Sequence, residues 1–456
     1  MPDYASVLQQ QRDFFATGKT LDLAFRLDGL RRLYSAIQQN EQEILAALHA
    51  DLGKCPAEAF GTEVGFTLME ATHTIRHLRQ WARPKRAAPP LVNMPCSCRV
   101  EPEPYGVALI MSPWNYPFQL TLAPLIAALA AGNTAVVKPS AYAPATSAII
   151  GRLLGRCFPQ DYVAVFEGGR EANRALLAEQ FDTIFFTGSV EVGKTVMEAA
   201  SRHLTPVTLE LGGKSPCVVC KDTDIALAAR RIVWGKTVNS GQTCVAPDYV
   251  LAHRDVLEPL AEEMKKCIAQ FFGPNPLTNP EYPRIVNEKH FDRVAGYLKD
   301  GQVYTGGRLD RAARKIEPTI LLGVTPGSPV MQEEIFGPVL PVLPFTSTDE
   351  VAQFINSRPK PLAFYLFTKS SQTERELLRR VSSGGCCVND TVMHLAAPSL
   401  PFGGVGDSGM GHYHGRWGFD TFTHWRGVLR KANRPELLLR YPPYGGKLDL
   451  FRKFQK

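Results

Sequence analysis

Three residue types in this 456-residue chain sit where they could do chemistry: a glutamate in an apolar strand, a cysteine behind a glycine turn and an asparagine between two prolines. The glutamate lies in Leu209-Glu210-Leu211-Gly212-Gly213-Lys214. Burial penalises an ionised carboxylate, so Glu210 should hold its proton more tightly than usual, which suits a general base. Pairing with a buried lysine would instead make it structural. The cysteine closes Asn239-Ser240-Gly241-Gln242-Thr243-Cys244, on a loop between a predicted helix and a predicted strand, a common place for a nucleophile. A cysteine in such a place can equally be packing. The asparagine is Asn115 in Met111-Ser112-Pro113-Trp114-Asn115-Tyr116-Pro117, at the end of a short strand, where its amide can donate to a developing oxyanion or simply tie the turn. A fourth segment, Phe185-Phe186-Thr187-Gly188-Ser189, runs into a helix containing Gly193 and turns backbone N–H groups toward an anion.

The elements that must position these residues alternate. Strands are predicted at 107–111, 134–138, 163–166, 182–186 and 207–211, with helices at 120–131, 145–157 and 190–201 between them. Short apolar strands between helices predict a parallel sheet covered on both faces, a doubly wound, Rossmann-like unit. A second alternating block spans 215–388, with strands at 216–220, 249–253, 339–344, 363–368 and 385–389 and helices at 224–238 and 254–272. Before the first block, 26–50 and 59–83 have helical spacing, and the Pro-rich stretch 84–104 reads as a linker and extended arm.

Composition narrows the classes. Apolar residues make up 45% and charged residues 21%, the balance of a globular protein. No apolar run is long enough to span a bilayer, and the Gln-rich start lacks a signal-peptide core, which predicts a cytoplasmic protein. Ten cysteines at irregular spacing predict reduced thiols. The Cys217/Cys220 pair has no partner pair at zinc-ligand spacing, so no metal is expected. The net charge of +7 is matched by the end of the chain: 426–456 carries nine Lys/Arg against two Asp/Glu. The near-neutral body argues against nucleic acid and gives the tail a separate role.

Taken together, the motifs resemble the aldehyde dehydrogenase superfamily over nearly the whole chain. They are WNYP at 114–117, VVKPS at 136–140, FTGS at 186–189, LELGGKSP at 209–216, GQTC at 241–244, EEIFGPV at 333–339 and PFGGVGDSGMG at 401–411. The stretch 413–428, the Arg440-Tyr441-Pro442-Pro443 segment and the short amino terminus resemble the class 3, or fatty-aldehyde, branch.

The resemblance implies an α/β fold of two Rossmann-like parallel-sheet domains and a small bridging arm. Residues 1–80 and 101–212 would bind the cofactor, 213–425 would form the catalytic domain, and 81–100 with 426–456 would form the oligomerisation arm and tail. It implies NAD or NADP as cofactor and a thioester route: Cys244 attacks an aldehyde, Asn115 holds the oxyanion and Glu210 activates the hydrolytic water. Trp114, Lys138, Gly188, Ser189, Gly193, Leu211, Glu334 and Phe336 would contact the cofactor. Phe66, Tyr116, Leu120, Trp234, Met393, His394 and Leu395 would line an apolar substrate tunnel, with His394 and His412 structural rather than catalytic.

Ala141 departs from the pattern of NAD-preferring relatives, which carry an acidic residue there, so the choice between NAD and NADP stays open. The class 3 likeness implies a homodimer. In the tail, Leu450, Phe451 and Phe454 would share a helical face that packs across a subunit or over the tunnel; the second reading is a weak, peripheral contact with an anionic membrane. Rival functions are a CoA-acylating relative, which the presence of Glu210 disfavours, a cofactor-free thiol esterase, and a non-catalytic scaffold.

Overall fold

Residues 3–90, 93–436 and 438–454 are described by a computed structural model of the chain. The fully apolar runs form the strands. Val107–Met111 lies at the centre of a six-stranded sheet, flanked by Thr134–Lys138 and then Val163–Val165 on one side. On the other side come Thr183–Thr187, Val207–Glu210 and the short strand Gly409–Met410. All neighbours are parallel except the last, which is antiparallel to Val207–Glu210. The chain leaves the central strand in both directions, so the gap beyond Met111 and Thr187 is a topological switch point, where open α/β sheets bind ligands.

A seven-stranded sheet holds the second half. Its order is Gln302–Thr305, Thr319–Leu322, Val339–Phe345, Tyr249–His253, Pro216–Val219, Ala363–Phe367 and Gly385–Val388. Only the first pair is antiparallel. Cys217 lies fully buried in its strand and Cys220 directly after it, and all ten cysteines are unpaired. A third, antiparallel sheet joins Lys85–Ala87, Cys96–Pro104 and Thr423–Lys431, bringing the Pro-rich stretch and the start of the basic region together.

Several boundaries differ from the sequence expectation. The helical stretch 26–50 is two helices, Leu23–Gln39 and Glu41–Leu52. Asn40 separates them: its side-chain amide donates to the Ala36 carbonyl at 2.7 Å, closing the first helix in the way that makes Asn a poor interior residue. The stretch 59–83 starts as a wide turn, Phe60–Val64, before the helix Gly65–Trp81. The chain from Pro401 onward returns to the first sheet: Gly409–Met410 extends it, and Phe419 and Phe422 join the core that contains Phe185. Among the described residues, no helix is long and apolar enough to cross a membrane.

Candidate active site

The WNYP loop leaves Met111 and is fixed from below by a buried ion pair. Lys54 and Glu63 are both fully buried, with Nζ and Oε1 2.5 Å apart. Lys54 also donates to the Asn115 backbone carbonyl at 3.2 Å and lies 4.0 Å from the Tyr116 ring centre. Glu63 Oε2 accepts the Phe118 N–H at 2.8 Å and the Gln119 N–H at 3.3 Å, at the start of the helix Gln119–Ala131. Such N–H groups have no partner within the helix, so the carboxylate sets where the helix and its preceding loop begin. Nothing in the sequence pairs these two residues: Glu63 falls in a stretch legible only as helix, and Lys54 in the short connection before it.

The Cys244 loop lies against this one. The Asn115 side-chain amide donates to the Gln242 carbonyl at 3.0 Å, and the Tyr116 and Thr243 hydroxyls are 2.5 Å apart. Gly241 (φ 74°) makes the turn possible: a Cβ there would stand 2.3 Å from the Gly337 carbonyl oxygen. Cys244 is half-buried. Burial pushes its thiol up, and the neighbouring Glu334 and Glu210 carboxyls add to this, while its own backbone N–H and that of Val245 pull the other way.

Glu210 ends the strand Val207–Glu210, 2% exposed, and among the described residues neither carboxyl oxygen has a hydrogen-bond partner. Burial alone raises it well above the usual carboxylate range. Among the described residues no lysine pairs with it, so burial rather than an ion pair sets its proton affinity. Its backbone carbonyl accepts the Gly188 N–H at 3.0 Å, which ties the FTGS turn to the same strand end. Ser189 precedes the helix Val190–Ser201, Gly193 packs against the Leu211 side chain, and Leu211 itself is buried.

Lys138 ends its strand beside Met111 and is 3% exposed. Among the described residues its ammonium makes one hydrogen bond, to the Pro139 carbonyl at 2.6 Å. Burial lowers it to about 8, against a smaller opposing pull from Glu167. Ala141, three residues on, is exposed. Glu334 reaches over Gly212, where a Cβ would meet Glu334 Oε2 at 2.0 Å. Burial, then the charge of Asp248, raises Glu334 to about 8; the Gly213 N–H, Lys214 and Arg293 oppose the shift. Phe336 has a left-handed backbone (φ 49°) and meets the Trp114 ring edge-on at 5.3 Å, with His290 5.2 Å from Trp114 on its own contact. His290 and His394 are both lowered to about 4, chiefly by burial, so neither imidazole is charged at neutral pH.

The residues expected to line a substrate tunnel divide. Phe66 and Leu395 face one small cavity together with Met69, Glu70, Pro398 and His414. Tyr116 touches the Cys244 loop, Leu120 is packed in the core, and His394 is half-buried with no partner for its ring nitrogens among the described residues. Trp234 and Met393 are 38% and 48% exposed, on a helix and a turn that approach each other at Gly235 and Thr391. Missed from the sequence were Lys54, Glu63, Asn239 and Lys236, the last a buried ammonium without a hydrogen-bond partner among the described residues.

The profile of the Aldehyde dehydrogenase family matches residues 2–428. This chain belongs to that family. As an aldehyde dehydrogenase it is an oxidoreductase acting on aldehydes, in a family with NAD(P)-dependent members. It is 47% identical over 445 residues to the 4,4'-diaponeurosporen-aldehyde dehydrogenase of Staphylococcus aureus, covering 97% of both chains. To aldehyde dehydrogenase family 3 member A2 of Macaca fascicularis it is 45% identical, covering 98% of this chain and 94% of that one. A solved structure described as the substrate-bound state of Staphylococcus aureus AldH superposes with a TM-score of 0.98 at 46% identity over 100% of both chains. The aldehyde dehydrogenase resemblance read from the motifs, and the Rossmann-like α/β fold it implied, are thereby established.

Proposed function

We propose that this enzyme oxidises apolar aldehydes, medium or long aliphatic or aromatic, to carboxylates through a thioester on Cys244. The observation that carries the reading is the convergence at one place of the half-buried Cys244 thiol, the Asn115 amide bound to the Cys244 loop and the unpartnered Glu210 carboxyl. The aldehyde in the name of the Staphylococcus aureus relative supports an apolar substrate.

In this reading Cys244 loses its proton and attacks the aldehyde carbon. One Asn115 N–H is taken by Gln242, which leaves the other, with the Cys244 backbone N–H, for the oxyanion. Glu210, once deprotonated, takes a proton from the water that hydrolyses the thioester, releasing the carboxylic acid and the Cys244 thiol.

The residues fit a nicotinamide dinucleotide. Lys138 is a buried cation with a single carbonyl partner, a donor free for ribose hydroxyls, and Glu334 and Phe336 border the same switch point. The helix start at Ser189 would face the pyrophosphate. When bound, NAD or NADP supplies the hydride acceptor for the oxidation. The six-stranded sheet is accordingly assigned to the cofactor, the seven-stranded sheet to catalysis, and the three-stranded arm to assembly as a homodimer; a rat relative 44% identical to this chain is named a dimeric, NADP-preferring aldehyde dehydrogenase.

The test is Cys244→Ser. Serine forms the attacking anion far less readily than cysteine, so aldehyde turnover should vanish while the cofactor still binds. Near-normal turnover in this variant would remove Cys244 from the chemistry.

A further inference from the structure

Asn239 is fully buried and holds a left-handed backbone (φ 52°, ψ 34°), uncommon for any residue other than glycine and better tolerated by Asn than by most. Its side-chain amide donates to the Asn115 backbone carbonyl at 2.7 Å and to the Gln242 carbonyl at 3.1 Å. Gln242 is also the residue whose carbonyl holds the Asn115 side chain. One amide thus spans the loop that carries Asn115 and the loop that leads to Cys244. The span is anchored in turn. The Asn239 N–H donates to Glu58 at 2.9 Å, its carbonyl accepts from the Gln242 backbone and side-chain N–H groups at 3.0 Å each, and Ser240 is tied to the Pro283 carbonyl at 2.6 Å.

We infer that Asn239 is a positioning residue that fixes the Asn115 amide relative to Cys244. It does not reach the reacting atoms; it sets the spacing of two groups that do. Preorganised donors stabilise an oxyanion only when they need no rearrangement as charge develops, so a slack link between the loops should slow the chemical step more than it weakens substrate binding. The inference rests on the reading of Asn115 as an oxyanion donor.

The experiment is a double-variant cycle between Asn239→Gly and Asn115→Ala on the full enzyme. Glycine accepts the left-handed backbone without strain and removes the side chain that carries the amide. Asn239→Gly alone should lower kcat, by up to the roughly 100-fold that losing one oxyanion donor costs, with KM little changed. It should cost almost nothing further in the Asn115→Ala background. Alkylation of Cys244 by iodoacetamide, which builds no oxyanion, should keep its rate. Full additivity in the cycle, unchanged kcat, or alkylation falling in parallel with kcat would overturn the inference. If Asn239→Gly fails to accumulate as folded protein, Asn239→Asp carries the same cycle; it keeps the size and replaces the donor by an acceptor. If Asn115→Ala itself leaves kcat intact, the oxyanion assignment fails and this inference with it; a loss in Asn115→Ala without one in the Asn239 variant overturns the inference alone.

Discussion

Lys138 and Ala141 set the cofactor question at a single strand end. With no carboxylate at 141 to repel it, the 2′-phosphate of NADP can approach the Lys138 ammonium. NADP should therefore be accepted as well as NAD, and Ala141→Glu should lower kcat/KM for NADP more than for NAD; equal use of both cofactors before and after the change would contradict this. The titration of Lys138 adds a pH signature. Its ammonium is charged below about 8 and neutral above, so NADP affinity of the free enzyme should fall as pH rises through that value, and NAD affinity should fall less. Binding titrations with each cofactor from pH 6.5 to 9.5 measure it, and parallel profiles would rule out a pairing role for the ammonium. At this scale Cys244, Glu210 and Asn115 were readable because each breaks its surroundings: a charge in an apolar strand, a thiol behind a glycine turn, an amide between prolines. Asn239 was not, since an asparagine beside a glycine reads as an ordinary turn, and its left-handed φ and two-loop span exist only in three dimensions.

At the scale of elements, the apolar parallel strands were legible to within a residue or two: Val107–Met111, Thr134–Lys138 and Tyr249–His253 lie where alternation with helices predicted. Polar edge elements were not. Gln302–Thr305 is half-exposed and bulged against its neighbour, and Gly409–Met410 pairs with Val207–Glu210 across two hundred residues of chain; neither has a local hydrophobic period. The same holds for Lys54 and Glu63, which become a buried pair only when the wide turn at Phe60–Val64 brings them together. Deleting one member should be severe, because the other stays buried without its counter-charge. Lys54→Met should cost about 3–5 kcal/mol of stability and also lower activity, since Asn115 and the helix at Gln119 hang on this pair. Denaturant unfolding followed by tryptophan fluorescence reads the loss; a change under about 1 kcal/mol would show that the pair is not the anchor described.

For the whole molecule, the two large sheets and the arm bring together residues far apart in sequence, and the basic tail begins as a strand of the arm, to Lys431. Its last helix, Leu448–Phe454, leaves Leu448 and Leu450 exposed, at 60% and 44%, while the Phe451 ring lies 6.4 Å from Tyr444; the Phe454 side chain is outside the described residues. The role proposed for this face is packing across a second subunit or over the substrate tunnel. The full chain and a chain ending at Tyr444 should then sediment equally with anionic liposomes at low salt, and a salt-sensitive loss on shortening would assign the tail to membranes. The central claim concerns the covalent route through Cys244. Its most direct measurement is to mix Glu210→Gln with cofactor and a medium-chain aldehyde, quench after the first turnover and weigh the peptide that contains Cys244. One burst of reduced cofactor per active site and the mass of one acyl group on Cys244 are predicted, followed by slow turnover. A burst with Cys244 unmodified, or acyl mass on another residue, would contradict the account.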